Sequence, residues 1–177
     1  MGLVGLGTYA YNLLIRESGS SAGWWGRLPM AAQSAAPWNL TIASDLRLLS
    51  LVRAFTEGFC QVAGCDSKVT DAVVMATDEA VNNVMRHAHR DHPESPIQIQ
   101  CFNHGDRIEI HLLDEGAPFD LASVPQLNPA ELRIGGRGVF LMRTLMDELI
   151  CQPRGERGNT LRMIKHCPPT IPLRKRA

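Results

Sequence analysis

Thr77-Asp78-Glu79-Ala80-Val81-Asn82-Asn83-Val84-Met85-Arg86-His87-Ala88 reads as a helix with two distinct stripes. Counted with Val73 upstream, Thr77, Ala80, Val81, Val84 and Ala88 recur at helical spacing and form an apolar face. Glu79, Asn83 and His87 stand four residues apart and form a polar stripe beside it. A carboxylate and an amide oxygen one turn apart can together face a hydrated magnesium ion and a phosphate, because Mg2+ takes oxygen ligands and keeps several of its waters. Taken by itself, the stripe is better explained as a solvated helix face.

The neighbouring elements place this helix in a fold. It begins near Ser67 and ends at Asp91-His92-Pro93. Before it, Leu48, Val52, Phe55, Phe59 and Val62 mark an amphipathic helix over about 45–63, with Ser44 expected as its N-cap, Asp45 in its first turn and Gly64 as its stop. Trp38 to Ile42 alternates as a strand. Ile97 to Cys101 and Ile108 to Leu112 form a hairpin around His104-Gly105-Asp106. A long proline-containing connection over 115–134 leads to Gly135-Gly136-Arg137-Gly138, a third helix over about 137–148 and a last strand over about 160–165. Strands and helices do not alternate strictly. The expected class is therefore α+β, a two-layer sandwich of one mixed β-sheet with helices on one face.

Composition narrows the function. The chain has 177 residues, with 18 Lys+Arg balanced by 18 Asp+Glu. A strongly basic nucleic-acid binder is disfavoured, because such binding needs excess cationic charge near phosphates. No apolar run is long enough for a spanning helix. The five cysteines lack close pairing and no CxxC occurs, so a disulfide framework or structural zinc site is not expected; they read as small apolar residues in a reducing compartment. Residues 1–36 are rich in glycine and serine and lack an early basic region, and they read as a poorly ordered extension, with Met30 as a conceivable true start. Residues 37–167 form the domain, and 168–177 a flexible basic tail.

Further residues suit nucleotide chemistry. Asp114-Glu115-Gly116 ends the second hairpin strand. A carboxylate there can accept from the exocyclic amine of adenine, and the glycine lets a ligand approach, although an ordinary turn has the same composition. Gly135-Gly136-Arg137-Gly138 exposes backbone N–H groups at a helix start, which favours anions. It is neither a P-loop nor a Rossmann fingerprint. Gly158-Asn159-Thr160 opens the last strand, where the threonine hydroxyl either completes a base pocket or belongs to a plain turn.

In combination these segments carry a family likeness. Thr77 to Ala88 resembles the N-box of the GHKL ATPases, the superfamily of gyrase, heat-shock chaperone ATPases, mismatch-repair ATPases and the ATP-binding domain of histidine kinases. Asp114-Glu115-Gly116-Ala117-Pro118-Phe119-Asp120 resembles the G1 box, and Gly135 to Met142 with Leu145-Met146-Asp147 resembles the G2 box. Gly158 to Met163 resembles the closing strand. In detail the sequence looks most like the anti-sigma-factor serine/threonine kinases of bacterial partner switching.

That resemblance implies roles for these residues. Glu79 would be the general base and Asn83 the magnesium ligand. Asp114 would read adenine, with Gly116 giving room. Gly136 and Gly138 would lie against the phosphates, Arg137 would add charge, and Thr160 would line the base pocket. Residues 117–136 would be the ATP lid. The implied protein is a cytoplasmic kinase that uses ATP and Mg2+, phosphorylates a STAS-domain anti-sigma-factor antagonist, sequesters a sigma factor and pairs as a homodimer, without membrane or direct nucleic-acid contact. The alternative is a switch module that binds ATP or ADP and changes partners without transferring phosphate.

Overall fold

The computed structural model describes residues 36–90, 92–124, 137–155 and 158–167. Strand β1 (Trp38–Ala43) leads through a 3-10 turn into α1 (Leu49–Ala63) and α2 (Ser67–Asn83). The hairpin β2 (Pro96–Asn103) and β3 (Arg107–Asp114) follows, and then α3 (Arg137–Leu145), β4 (Glu148–Pro153) and β5 (Asn159–His166). The sheet order is β1-β2-β3-β5-β4.

The two-layer α+β arrangement is the expected one, with one correction. Every pairing in the sheet is antiparallel, where a mixed sheet was expected. The connections explain this. Two helices join β1 to β2, and the pair returns the chain to the end of the sheet it left. β3 and β4 run the same way, with α3 ahead of β4, but β5 lies between them and opposes both.

Alternation along the strands separates the two faces. Ile97, Ile99 and Cys101 of β2, Ile108, Ile110 and Leu112 of β3, and Met163 of β5 are buried in one core with Val52, Phe59, Val73, Val81 and Met142 of the helices. Trp38 closes one end of this core, with its ring 5.7 Å from that of Phe59 in an edge-on contact. Arg53 of α1 grips Asp78 of α2 with two hydrogen bonds of 2.8 and 2.9 Å, which fixes the helix pair beside Glu79. No described helix is long and apolar enough to cross a membrane.

Three boundaries differ from the sequence reading. The first helical segment is capped by Asp45, whose carboxylate accepts from the Arg47 N–H at 2.9 Å; Ser44 is buried and its hydroxyl has no hydrogen-bond partner among the described residues. The helix expected to reach 148 stops at Leu145, and β4 follows. Leu145 and Leu149 keep a helical spacing across this break, so periodicity does not reveal it. The break is fixed by Asp147, which accepts from Lys165 Nζ at 2.8 Å and from the His166 N–H at 2.6 Å. Third, α2 gives way after Asn83 to a π turn over Val84–Ala88, closed by the His89 N–H donating to Val84 O at 2.9 Å.

The sheet face away from the helices carries a charged cluster. Glu109 is buried there, with Arg162 Nη2 at 3.0 Å, His111 Nε2 at 3.1 Å and Arg107 Nε at 3.3 Å. Burial opposes its ionisation, but the hydrogen bonds from Arg162, His111 and Arg107 outweigh that and bring its pKa down to about 2 from an ordinary 4.5. A depressed carboxylate pKa stabilises the fold above the unfolded value, and the contribution fades as pH falls from 4.5 through about 2. Glu109→Gln is expected to cost about 1–3 kcal/mol near neutral pH and to flatten the acid limb of stability. Urea denaturation between pH 2 and 7 checks this; an unchanged acid limb contradicts it.

Candidate functional site

The site lies where the C-terminal end of α2, the end of β3, the start of β5 and the start of α3 converge. A cleft of about 380 Å³ opens there, lined by Asn83, His87, Asp114, Gly138, Asn159 and the apolar side chains of Leu112, Val139, Met142 and Leu161. An apolar slot with few polar groups is the usual make-up of a small-ligand pocket.

Asp114 anchors the polar end. It is buried, and its Oδ1 accepts from the Gly116 N–H at 2.8 Å and from Asn159 Nδ2 at 3.1 Å. Asn159 is buried as well and makes two further bonds. Its Nδ2 donates to Ala117 O at 2.9 Å, and its Oδ1 accepts from the Phe119 N–H at 2.7 Å. One amide thus pins the carboxylate and the loop that leaves it. The Gly158 N–H adds a bond of 2.7 Å to Gly116 O. Gly116 itself packs so closely on Ala88 that a β-carbon would collide with the alanine side chain.

Glu79 and Asn83 stand at the other end. They share an α-helical face, because the π turn begins only after Asn83. A β-carbon on Gly138 would come within 2.9 Å of Asn83 Nδ2 and 3.0 Å of Glu79 Oε2. The start of α3 therefore rests directly on both heads, and a side chain at 138 would have to displace them. Asn82 turns elsewhere and accepts from Arg86 Nε at 2.8 Å. Among the described residues, no cluster of three or more His, Cys, Asp or Glu is placed to hold a metal. The neighbouring Asn83 and Glu79 oxygens fit a hard cation such as magnesium that takes most of its ligands from phosphates and water.

The structure brings Glu79, Asn83, Asp114, Gly116 and Gly138 to this region, and Arg137 opens the helix above it. Gly136 and lid residues 125–136 lie outside the described residues. Thr160 is not part of the cleft lining. It pairs with Leu113 and shares that residue's side of the sheet, whereas Asn159 shares the side of Asp114. Asn159 is the residue the sequence reading missed. Its signal was parity: Leu161 and Met163 face the core, and 159 continues their alternation.

His89 is a second such residue. It is buried beneath the Asp114-Glu115 turn, and its Nε2 lies 3.4 Å from the Glu115 N–H, which points at it. Burial holds its pKa below the ordinary histidine range, against the pull of Asp114 and Glu115. A neutral ring suits an acceptor role toward that N–H.

Residues 42–165 match the model of the histidine kinase-like ATPase domain. The chain belongs to that family. It is 32% identical over 136 residues to the serine-protein kinase RsbW of Staphylococcus epidermidis, a match covering 72% of this chain and 84% of the relative. It is 31% identical over 118 residues to the serine-protein kinase RsbW of a Listeria monocytogenes serotype 4a strain, covering 62% and 75%. Among solved structures, the RsbU and RsbW domains of a Mycobacterium tuberculosis protein align with a TM-score of 0.53 and 16% identity, over 76% of this chain and 34% of that one. This last likeness shows the fold alone.

Gly158 offers a direct test of the pinned turn. Its φ is +87° and a β-carbon would collide with Asp114 O, whereas Gly155, at φ +75°, has open space around it. Gly158→Ala is expected to lose about 2 kcal/mol or more, and Gly155→Ala about 1 kcal/mol, from backbone strain. Thermal unfolding of the two variants measures this; equal losses contradict the collision.

Proposed function

We propose that this chain is a cytoplasmic ATP-dependent protein-serine/threonine kinase and anti-sigma factor. It binds ATP with Mg2+ in the cleft, phosphorylates a STAS-domain antagonist, sequesters a sigma factor, and works as a homodimer. The observation that carries this reading is the cleft itself: a pinned buried carboxylate at one end, and an acid and an amide beneath a glycine-started helix at the other. The family match and relatives named serine-protein kinase support it.

In this reading the residues divide the work. Asp114 accepts from the adenine amine, and the apolar walls Leu112, Val139, Met142 and Leu161 hold the base. Thr160 could serve the base only indirectly, through the strand it shares with Asn159. The backbone N–H groups of Arg137 and Gly138 at the start of α3 receive the phosphates, where helix-end charge favours anions, and Gly136 is assigned to them from the sequence alone. Asn83 would hold magnesium, which when bound neutralises phosphate charge. Glu79 orients the acceptor hydroxyl and takes its proton. Most of the acceleration in phosphoryl transfer comes from such positioning and charge neutralisation. The lid residues exclude water, which otherwise competes as acceptor.

Two variants separate binding from transfer. Asp114→Asn keeps an oxygen for Gly116 and Asn159 but turns a donor toward the adenine amine. It is expected to weaken ATP binding at least ~100-fold with the fold intact. Glu79→Gln is expected to keep ATP affinity within ~3-fold and to lower transfer to an antagonist serine or threonine by ~100-fold or more. Calorimetry and labelled ATP measure these. Transfer undiminished in Glu79→Gln contradicts the base assignment, and binding without transfer in the parent chain contradicts the kinase.

A further inference from the structure

The five thiols occupy three environments. Cys101 is in the core, Cys151 lines the cleft, and Cys60, Cys65 and Cys167 form a group at the opposite end of the domain. Cys65 directly precedes Asp66, the N-cap of α2, whose Glu79 lies some 20 Å further along the helix axis by the ~1.5 Å rise per residue. Cys167 follows β5, whose Asn159 lies roughly 25 Å away by the ~3.3 Å rise of a strand.

Within this group, the Sγ atoms of Cys65 and Cys167 are 2.8 Å apart, although 102 positions separate them in the chain. The backbone holds both. Gly64 takes a φ of +80°, and its N–H donates to Gln61 O at 3.1 Å. The Cys65 N–H donates to Cys60 O at 3.0 Å, and the next residue, Asp66, caps α2 through the Val69 N–H at 2.8 Å. The Cys167 N–H donates to Asp106 O at 2.9 Å, on the β2–β3 hairpin. Cys65 is half-buried, whereas Cys167 is buried.

We propose that Cys65 and Cys167 are an oxidative modification site that closes into an intramolecular disulfide on exposure to a peroxide. The Cys65 thiolate attacks one peroxide oxygen; an S–O bond forms, the O–O bond breaks, and the leaving hydroxide takes a proton to become water. Cys167 then attacks the sulfenic sulfur; the S–S bond forms, the S–O bond breaks, and a second water leaves. Two electrons pass from the thiols to the peroxide. A hydrogen bond with Cys60 and burial raise the Cys65 pKa, and burial with the Cys65 contact raises that of Cys167, so the first step is slow at neutral pH. Sulfur contact makes the second step fast, before further oxidation competes.

The link would join the turn between α1 and α2 to the end of β5 and close a loop of about a hundred residues, which restricts the unfolded chain strongly. It lies far from the cleft. The oxidised protein should therefore be more stable while binding nucleotide as before.

The test treats the reduced full-length chain with hydrogen peroxide, caps remaining thiols, and maps peptides without reductant. The expected result is a Cys65–Cys167 cross-linked peptide lighter by two hydrogens, with Tm raised by about 5 °C or more and restored by dithiothreitol. Cys60→Ser should retain the link, and Cys65→Ser or Cys167→Ser should each abolish the Tm rise. ATP affinity should change less than ~2-fold on oxidation. A dominant link through Cys60, sulfinic acid at Cys65 without any link, or a link with no rise in Tm would overturn the proposal, and the wild-type peptide map decides it even if a variant fails to fold.

Discussion

A single carboxylate oxygen organises the cleft. Asp114 Oδ1 receives the Gly116 N–H and the Asn159 amide, and both hydrogen bonds fall on that one atom. A buried charge left without donors would be costly, and two donors offset much of that cost. The Asn159 bond holds the end of β3 against the start of β5, and the Gly116 bond closes the turn that leaves β3. They also fix the turn on which the loop from Ala117 to Phe119 is folded, and with it one wall of the cleft. Asp114 is also among the residues that line the cleft.

The fold delivers this constraint by simple connectivity. Two antiparallel helices return the chain to the hairpin, and the final strand enters between β3 and β4 rather than at an edge. That insertion puts Asn159 opposite Asp114 in the register. The helices bury one sheet face, so α2 must cross above β3, and its C-terminal end arrives over Asp114. The π turn at Val84–Ala88 breaks the ordinary helix phase just where Ala88 packs on Gly116. Rare helical forms of this kind are frequent at functional sites.

Much of this is legible in the chain. The stripe Glu79, Asn83, His87 is readable because a helix makes residues four apart neighbours, and the structure keeps the first two together on one α-helical face. The hairpin at His104-Gly105-Asp106 is readable from its turn chemistry, and Gly105 takes a φ of +90° there. β4 was not readable, because Leu145 and Leu149 carry the helical spacing across the break at Asp147. The family resemblance points to Thr160 for the base pocket, whereas the structure lines the cleft with Asn159. Which of two adjacent strand residues faces inward depends on the pairing register, and only the alternation through Leu161 and Met163 reveals it. His89 could not be read, since it stands just past a π turn that the helical spacing does not reveal.

In the proposed function the Asp114 end of the cleft receives an adenine base and the Gly138 end its phosphates. Backbone amide resonances recorded during titration with ATP and magnesium, and separately with GTP, test it most directly. ATP should shift Gly116, Phe119, Gly138 and Asn159 in one saturable process, while GTP leaves them in place at equal concentration. Shifts confined to the Glu109 face of the sheet, or an equal response to GTP, would contradict it.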